Sequence, residues 1–178
     1  MKIANRMEKL APSLTLSITA LANDLKAAGK DILSFSAGEP DFDTPQVVKD
    51  AAIKAINEGK TKYTAVESNK ETKQAIINKL KKDHNLDYTL DKIVISNGAK
   101  HSLFNLAQAL IDEGDEVIIP SPYWVTYPEL VVYSGGVPVF IETDESTEFK
   151  ITAKQLKEKI TPKTKILMLN SPSNPTGS

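Results

Sequence analysis

Ile166-Leu167-Met168-Leu169-Asn170-Ser171-Pro172-Ser173-Asn174-Pro175-Thr176-Gly177 is the stretch that sets the fold class. Its first four residues form a short continuous apolar run, the pattern of a strand buried on both faces. The run empties into Ser, Asn, Pro and Gly, which places polar groups at the strand's C-terminal end. In open α/β sheets that edge is where ligands bind. The sequence stops at Ser178, one residue past the motif, and the expectation is that it forms part of a larger protein.

Working back from this strand, the pattern is regular from Ile93 onward. Ile93-Val94-Ile95, Val117-Ile118-Ile119, Val137 to Ile141 and Lys165 to Leu169 read as strands. Between them, Leu103, Leu106, Ala107 and Leu110 recur at helical spacing, Tyr123 to Tyr133 reads as a helix ended by Gly135-Gly136, and Thr152 caps a helix to Ile160. Asp112-Glu113-Gly114-Asp115 is a turn. Strands that alternate with helices need crossover connections, which give a mainly parallel sheet with helices on both faces. The fold class is therefore α/β, three layers deep; strand order stays open.

The N-terminal half reads as more helical. Ser13 to Ala28 is a helix, with Leu14, Leu21 and Leu25 spaced for one face and Gly29 as its stop. Ile32 to Phe35 is a candidate short strand. The loop from Ser36 to Pro45 follows, with Thr44 as N-cap and Pro45 at the first position of a helix to about Glu58, ended by Gly59. A Lys-rich helix covers about Asn69 to Asp83; its Lys70, Lys73, Lys79, Lys81 and Lys82 read as a solvated face.

Composition narrows the function. The chain has 178 residues, 40% hydrophobic and 25% charged, with net charge -1. That supports a real core and argues against nucleic acid or an anionic membrane as the main partner. Cys is absent, which removes disulfides, thiolate catalysis and Cys-ligated metal, and two His are too few for a typical zinc site. No secretory h-region opens the sequence and no apolar run approaches the ~18 residues of a membrane helix. The expected location is the cytoplasm.

Five places could carry chemistry. Ser96-Asn97-Gly98-Ala99-Lys100 lies between a predicted strand and a helix. A helix N-terminus offers free N–H groups and partial positive charge, small residues admit an anion, and Lys100 adds formal charge. A plain Asn-Gly turn explains the same residues equally well. Trp124, in Ser121-Pro122-Tyr123-Trp124, could stack on a flat heteroaromatic ligand or simply pack on the core. Asn174 can donate to a phenolate or carboxylate oxygen, or serve a turn. Gly38 permits a close ligand approach or a turn, and Tyr63 is a loop phenol. Three of the five follow predicted strands of one sheet and so should gather at one edge. A phosphate cradle, an aromatic plate and an amide donor together suit a phosphorylated planar cofactor.

Taken together, Ala37-Gly38-Glu39-Pro40-Asp41-Phe42-Asp43-Thr44-Pro45, Lys62-Tyr63-Thr64, Gly98-Ala99-Lys100, Ser121-Pro122-Tyr123-Trp124 and Asn174-Pro175-Thr176-Gly177 resemble the class I pyridoxal-phosphate aminotransferases, closest to the bacterial aspartate aminotransferase branch. The resemblance runs along essentially the whole chain, in order. It implies fold type I, with residues 1–45 as N-terminal arm and small-domain segment and 46–178 as the first part of the large cofactor domain. It also implies a homodimer, and amino-group transfer between an L-amino acid, aspartate or glutamate first, and a 2-oxo acid.

By resemblance, Gly98, Ala99 and Lys100 hold the phosphate of pyridoxal 5'-phosphate, Trp124 stacks on its ring and Asn174 donates to its phenolic oxygen. Trp124 and Asn174 thereby also border the substrate, Gly38 lies against the substrate carboxylate, and Tyr63 reaches the phosphate in the neighbouring subunit's site. The Ser121-Pro122 and Asn174-Pro175 bonds would be cis. The family's usual glycine, then Leu-Arg, after the Tyr-Thr stretch is replaced by Ser68, Thr72 and Lys73. The lysine that binds the cofactor covalently, the aspartate at the pyridine nitrogen and the arginine that clamps the α-carboxylate all fall beyond residue 178. No catalytic residue is thus expected within these 178 residues, which alone should be inactive. A phosphate-ligand binding module without catalysis is the alternative reading.

Overall fold

A computed structural model describes residues 2–35, 38 and 40–178, and of Leu14 only the backbone. Ser36, Ala37 and Glu39, which carry part of the resemblance, lie outside it. Seven helices and three strands are defined among the described residues: α1 (Asn5–Glu8), α2 (Leu14–Ala27), α3 (Gln46–Asn57), α4 (Lys70–His84), α5 (Ala99–Leu110), β1 (Glu116–Ser121), α6 (Thr126–Tyr133), β2 (Val137–Glu142), α7 (Ala153–Lys159) and β3 (Thr164–Leu167). Two compact units result. One joins Met1–Ala11 to Ser96–Ser178, and the other is Pro12–Ile95.

The first unit holds the sheet. β1 pairs in parallel with β2 on one side and β3 on the other, giving the order β2-β1-β3. Such neighbours need crossovers, supplied by α6 between β1 and β2 and by α7 between β2 and β3. Val117, Ile118 and Ile119 of the central strand are all fully buried, so both faces are covered at β1. The run Ile166–Leu169, expected to be buried on both faces, is not, since Leu167 and Leu169 are exposed at this edge of the sheet. On one face Val117 and Ile119 pack with Ala107 and Ile111 from α5 and its end, and with Tyr127 and Val131 from α6; Phe140, Ile166 and Met168 border that cluster. On the other face Ile118 and Ile141 are buried, and α7 runs along β2, with Gln155 Nε2–H donating to the Glu142 carbonyl at 3.2 Å. Thr152 caps α7 in a reciprocal box with Gln155.

The Gly135-Gly136 turn is a close-packed corner. A Cβ on Gly136 would sit 2.8 Å from Ile111 Cγ2 and 3.0 Å from both the Asp115 carbonyl oxygen and Val131 Cγ1. Only glycine lets β2 start there, directly beside β1.

The second unit is held mainly by local signals. Ser13 and Asn69 cap α2 and α4 with side-chain oxygens, and Gly29 and Gly59 leave their helices at φ 76° and 72°. Ala22 and Ile93 are its buried apolar residues among those described.

Several expectations are corrected. Ile32–Phe35 forms no strand, and Leu33 and Phe35 stand 83% and 95% exposed. Ile93-Val94-Ile95 is extended but unpaired: a strand needs a ladder partner, and none lies beside it among the described residues. Pro45, not Thr44, is the N-cap of α3. The helix expected from Tyr123 starts at Thr126, and the last strand ends at Leu167. Leu21 is exposed while its neighbour Ala22 is buried. The Lys-rich face of α4 is solvated except at Lys73, which is 4% exposed and lies 3.8 Å from Glu67.

Ile118 is the cleanest probe of this core. Ile118→Ala should lower stability by about 3–4 kcal/mol through lost burial and a cavity, read as a drop in urea midpoint. Ser68 sits at φ 82° without being glycine. Ser68→Gly relieves a left-handed strain of about 1–2 kcal/mol and gives part of it back as unfolded-chain entropy. A net gain of up to about 1 kcal/mol in the same assay is expected.

Candidate functional site

Parallel pairing sends the chain out of β1 and β3 at the same edge. From β1 it enters Pro122-Tyr123-Trp124, and from β3 it enters Met168 to Ser178. The Ser121-Pro122 and Asn174-Pro175 bonds are cis, and Ser171-Pro172 is cis as well. Thr143 Oγ1–H donates to the Ser121 carbonyl and ties this turn to the end of β2. The last loop closes on itself: Asn174 N–H donates to Asn170 Oδ1 at 2.8 Å, and Gly177 N–H to the Ser173 carbonyl at 2.7 Å.

The third element is the start of α5. Gly98 precedes it at φ 81° and ψ 165°, a conformation that costs an L-residue strain. No side chain caps this end, so first-turn N–H groups keep the partial positive charge of a helix start. Asn97 N–H donates instead to Nδ1 of His101. Lys100 Nζ lies 4.8 Å from the centre of the Trp124 ring, which brings the Gly98-Ala99-Lys100 turn to the aromatic side chain. An ammonium over an indole is held by the ring quadrupole.

Trp124 also meets Tyr127, with centroids 5.5 Å apart and planes at 88°. Tyr127 in turn lines a cavity of about 270 Å³ together with Tyr123, Phe149, Lys150, Met168, Asn170 and Asn174. Tyr127 therefore touches Trp124 and shares a cavity wall with Asn174, although Trp124 and the Gly98–Lys100 turn are not in that wall. Tyr123 stacks on Phe140 at 4.9 Å, which holds one side of the opening.

The segment beside the cavity is shaped by Asp144. Its carboxylate accepts from Ser146 Oγ–H at 2.6 Å and from Ser146 N–H at 2.8 Å. Those bonds, the hydroxyl first, hold the Asp144 carboxyl below its ordinary value. Glu148 and Phe149 then pass through left-handed backbone at φ 52° and 57°, which turns Phe149 and Lys150 to the cavity.

Gly38 and Tyr63 belong to the second unit, where both are exposed. Tyr127, Phe149 and Lys150 were not singled out from the sequence. Tyr127 had a signal, since it lies three residues after Trp124 at a helix start; Phe149 and Lys150 had none.

The arrangement fits a phosphorylated planar ligand on this chain's own terms: an uncapped helix start beside a lysine, a flat aromatic partly open to solvent, and an amide on an adjoining cavity wall. Residues 30–178 match the protein family described as "Aminotransferase class I and II". The chain belongs to that family. It is 56% identical over 177 residues to the aspartate aminotransferase of Geobacillus stearothermophilus, covering 99% of this chain and 45% of the relative. It is 53% identical over 178 residues to the aspartate/prephenate aminotransferase of Nitrosomonas europaea, covering 100% and 45%. The solved aspartate aminotransferase of Thermus thermophilus with maleate superposes at a TM-score of 0.94 with 42% identity, covering 98% of this chain and 46% of that one. The chain thus spans less than half the length of the relatives it matches, and its parallel sheet with flanking helices is the fold type I arrangement.

A Cβ at Gly98 would meet nothing within 4 Å, so Gly98→Ala tests the backbone alone. It should cost about 1–3 kcal/mol by forcing an L-residue into an extended positive-φ conformation, seen as a lower denaturation midpoint, with no clash to relieve.

Proposed function

We propose that the complete protein is a pyridoxal-phosphate-dependent aminotransferase that moves an amino group between aspartate or glutamate and a 2-oxo acid. The observation that carries this reading is the Lys100 ammonium over the Trp124 ring at the uncapped start of α5, in a chain of this family. When bound, pyridoxal phosphate accepts the amino group and spreads the charge left by loss of the α-proton.

The residues present bind and orient. The Gly98-Ala99 backbone and Lys100 supply positive potential for the phosphate. Trp124 provides the flat surface that sets the ring plane. The Asn174 amide donates to the ring's phenolic oxygen, and a hydrogen bond to a developing oxyanion steadies charge at that position. Trp124 and Asn174 also border the substrate. Gly38 lies against the substrate carboxylate, and Tyr63 reaches the phosphate of the adjoining subunit in a homodimer. No proton transfer is assigned to residues 1–178. That step belongs to a lysine elsewhere in the complete protein, and these residues alone have no transaminase activity.

Residues 1–45 serve as arm and small-domain segment and 46–178 as the first part of the cofactor domain. The acidic substrate follows the names of the relatives, one of which carries maleate, a dicarboxylate. Among the described residues no helix is long and apolar enough to cross a membrane and no group of acidic or His side chains could hold a metal. A cytoplasmic location is part of the same proposal.

Borohydride reduction of the complete protein with pyridoxal phosphate, followed by peptide mass spectrometry, should mark one lysine outside 1–178, with aspartate and 2-oxoglutarate turned over before reduction. A stoichiometric mark on Lys100 would overturn the assignment of roles. Binding with neither mark nor turnover would favour a non-catalytic phosphate-ligand module. In the active protein Asn174→Ala should lower kcat/KM about tenfold to a hundredfold, the range for a hydrogen bond to a charged oxygen.

A further inference from the structure

We propose that Tyr127 is the positioning residue for Trp124: it sets the plane in which the indole is presented to a flat, phosphorylated ring. The identity of that ring rests on the cofactor reading above, but the positioning itself does not.

Trp124 is only partly buried, so burial alone does not fix its rotamer. Tyr127 is 9% exposed and belongs to the core cluster with Val117, Ile119 and Val131. Its N–H donates to the Trp124 carbonyl at 2.9 Å, which holds the two residues one turn apart at the entry to α6. The rings then meet at 88° with centroids 5.5 Å apart, the edge-to-face arrangement that aromatic quadrupoles favour. Lys100 stands on the indole face. Rotation of the indole out of this plane loses both contacts. Tyr127 also lines the cavity that Asn174 borders, so the side chain that meets the indole faces the same space as the amide.

The experiment uses the complete protein with Tyr127→Phe, Tyr127→Leu and Tyr127→Met, each with Trp124 intact and with Trp124→Phe. Without cofactor, the near-UV circular dichroism owed to Trp124 is the difference between the two backgrounds. Y127F should keep this difference band. Y127L and Y127M should lose most of it while far-UV spectra stay unchanged, and Y127M serves if Y127L does not fold. In pyridoxal phosphate titrations, Y127L or Y127M should weaken binding about three- to tenfold with Trp124 present, and less than about twofold in the W124F background, the mark of a residue acting through another.

A difference band that survives Y127L and Y127M overturns the proposal. So does equal weakening in both backgrounds, or a Y127F variant as impaired as Y127L. A wild-type protein that binds no pyridoxal phosphate refutes the cofactor reading instead, while the spectral comparison still decides the role of Tyr127.

Discussion

Parallel pairing on both sides of Glu116–Ser121 is the constraint from which the site follows. With β2 and β3 both running the same way as β1, the chain leaves β1 and β3 at one edge, and Trp124 and Asn174 are delivered there by topology. The pairing persists because Val117, Ile118 and Ile119 are fully buried. A one-residue slip would exchange the two faces of the strand, pulling Val117 and Ile119 from their contacts with α5 and α6. The register that protects the core is also the register that aligns the loops.

How legible this was from sequence depends on which force decided each element. Where burial decided, the pattern was plain: Val117-Ile118-Ile119, Val137 to Ile141 and the turn at Asp112 to Asp115 appear as read. Where caps decided, boundaries were also close, as at Ser13, Asn69 and Thr152. The two missed strands share one cause. Ile32–Phe35 and Ile93–Ile95 have strand-like composition, but strand identity belongs to a pair, and composition in one segment cannot report whether a partner lies alongside. Of the candidate site residues, Lys100 and Trp124 are brought together, and Asn174 lines a cavity together with Tyr127, the neighbour of Trp124. Phe149 and Lys150 could not be read because their placement depends on two consecutive left-handed residues that are not glycine.

The departures from the family pattern find a physical account in the second unit. Ser68 occupies left-handed backbone where the family has glycine, and its N–H donates to the Ala65 carbonyl at 2.9 Å. The turn is therefore kept at some cost in strain. Lys73, where the family has arginine, is buried and directed at Glu67. Lysine presents a point charge on a flexible stem rather than a planar fork, so Lys73 ties the loop between Tyr63 and α4 through an ion pair to Glu67 without bidentate geometry.

Core and site meet at Tyr127, beside Tyr123 and Met168, which also pack on the core cluster and line the cavity. Tyr127 belongs to the core cluster with Val117 and Ile119, meets the indole of Trp124 through its ring, and lines the cavity that Asn174 also lines. Loops are ordinarily the mobile part of a fold, and precise placement on them needs a link to something that does not move. Here the link is short: one residue at the first turn of α6, three positions after the aromatic plate. Packing of β1 against α6 is thereby transmitted to the ligand-facing loops without an extra structural element.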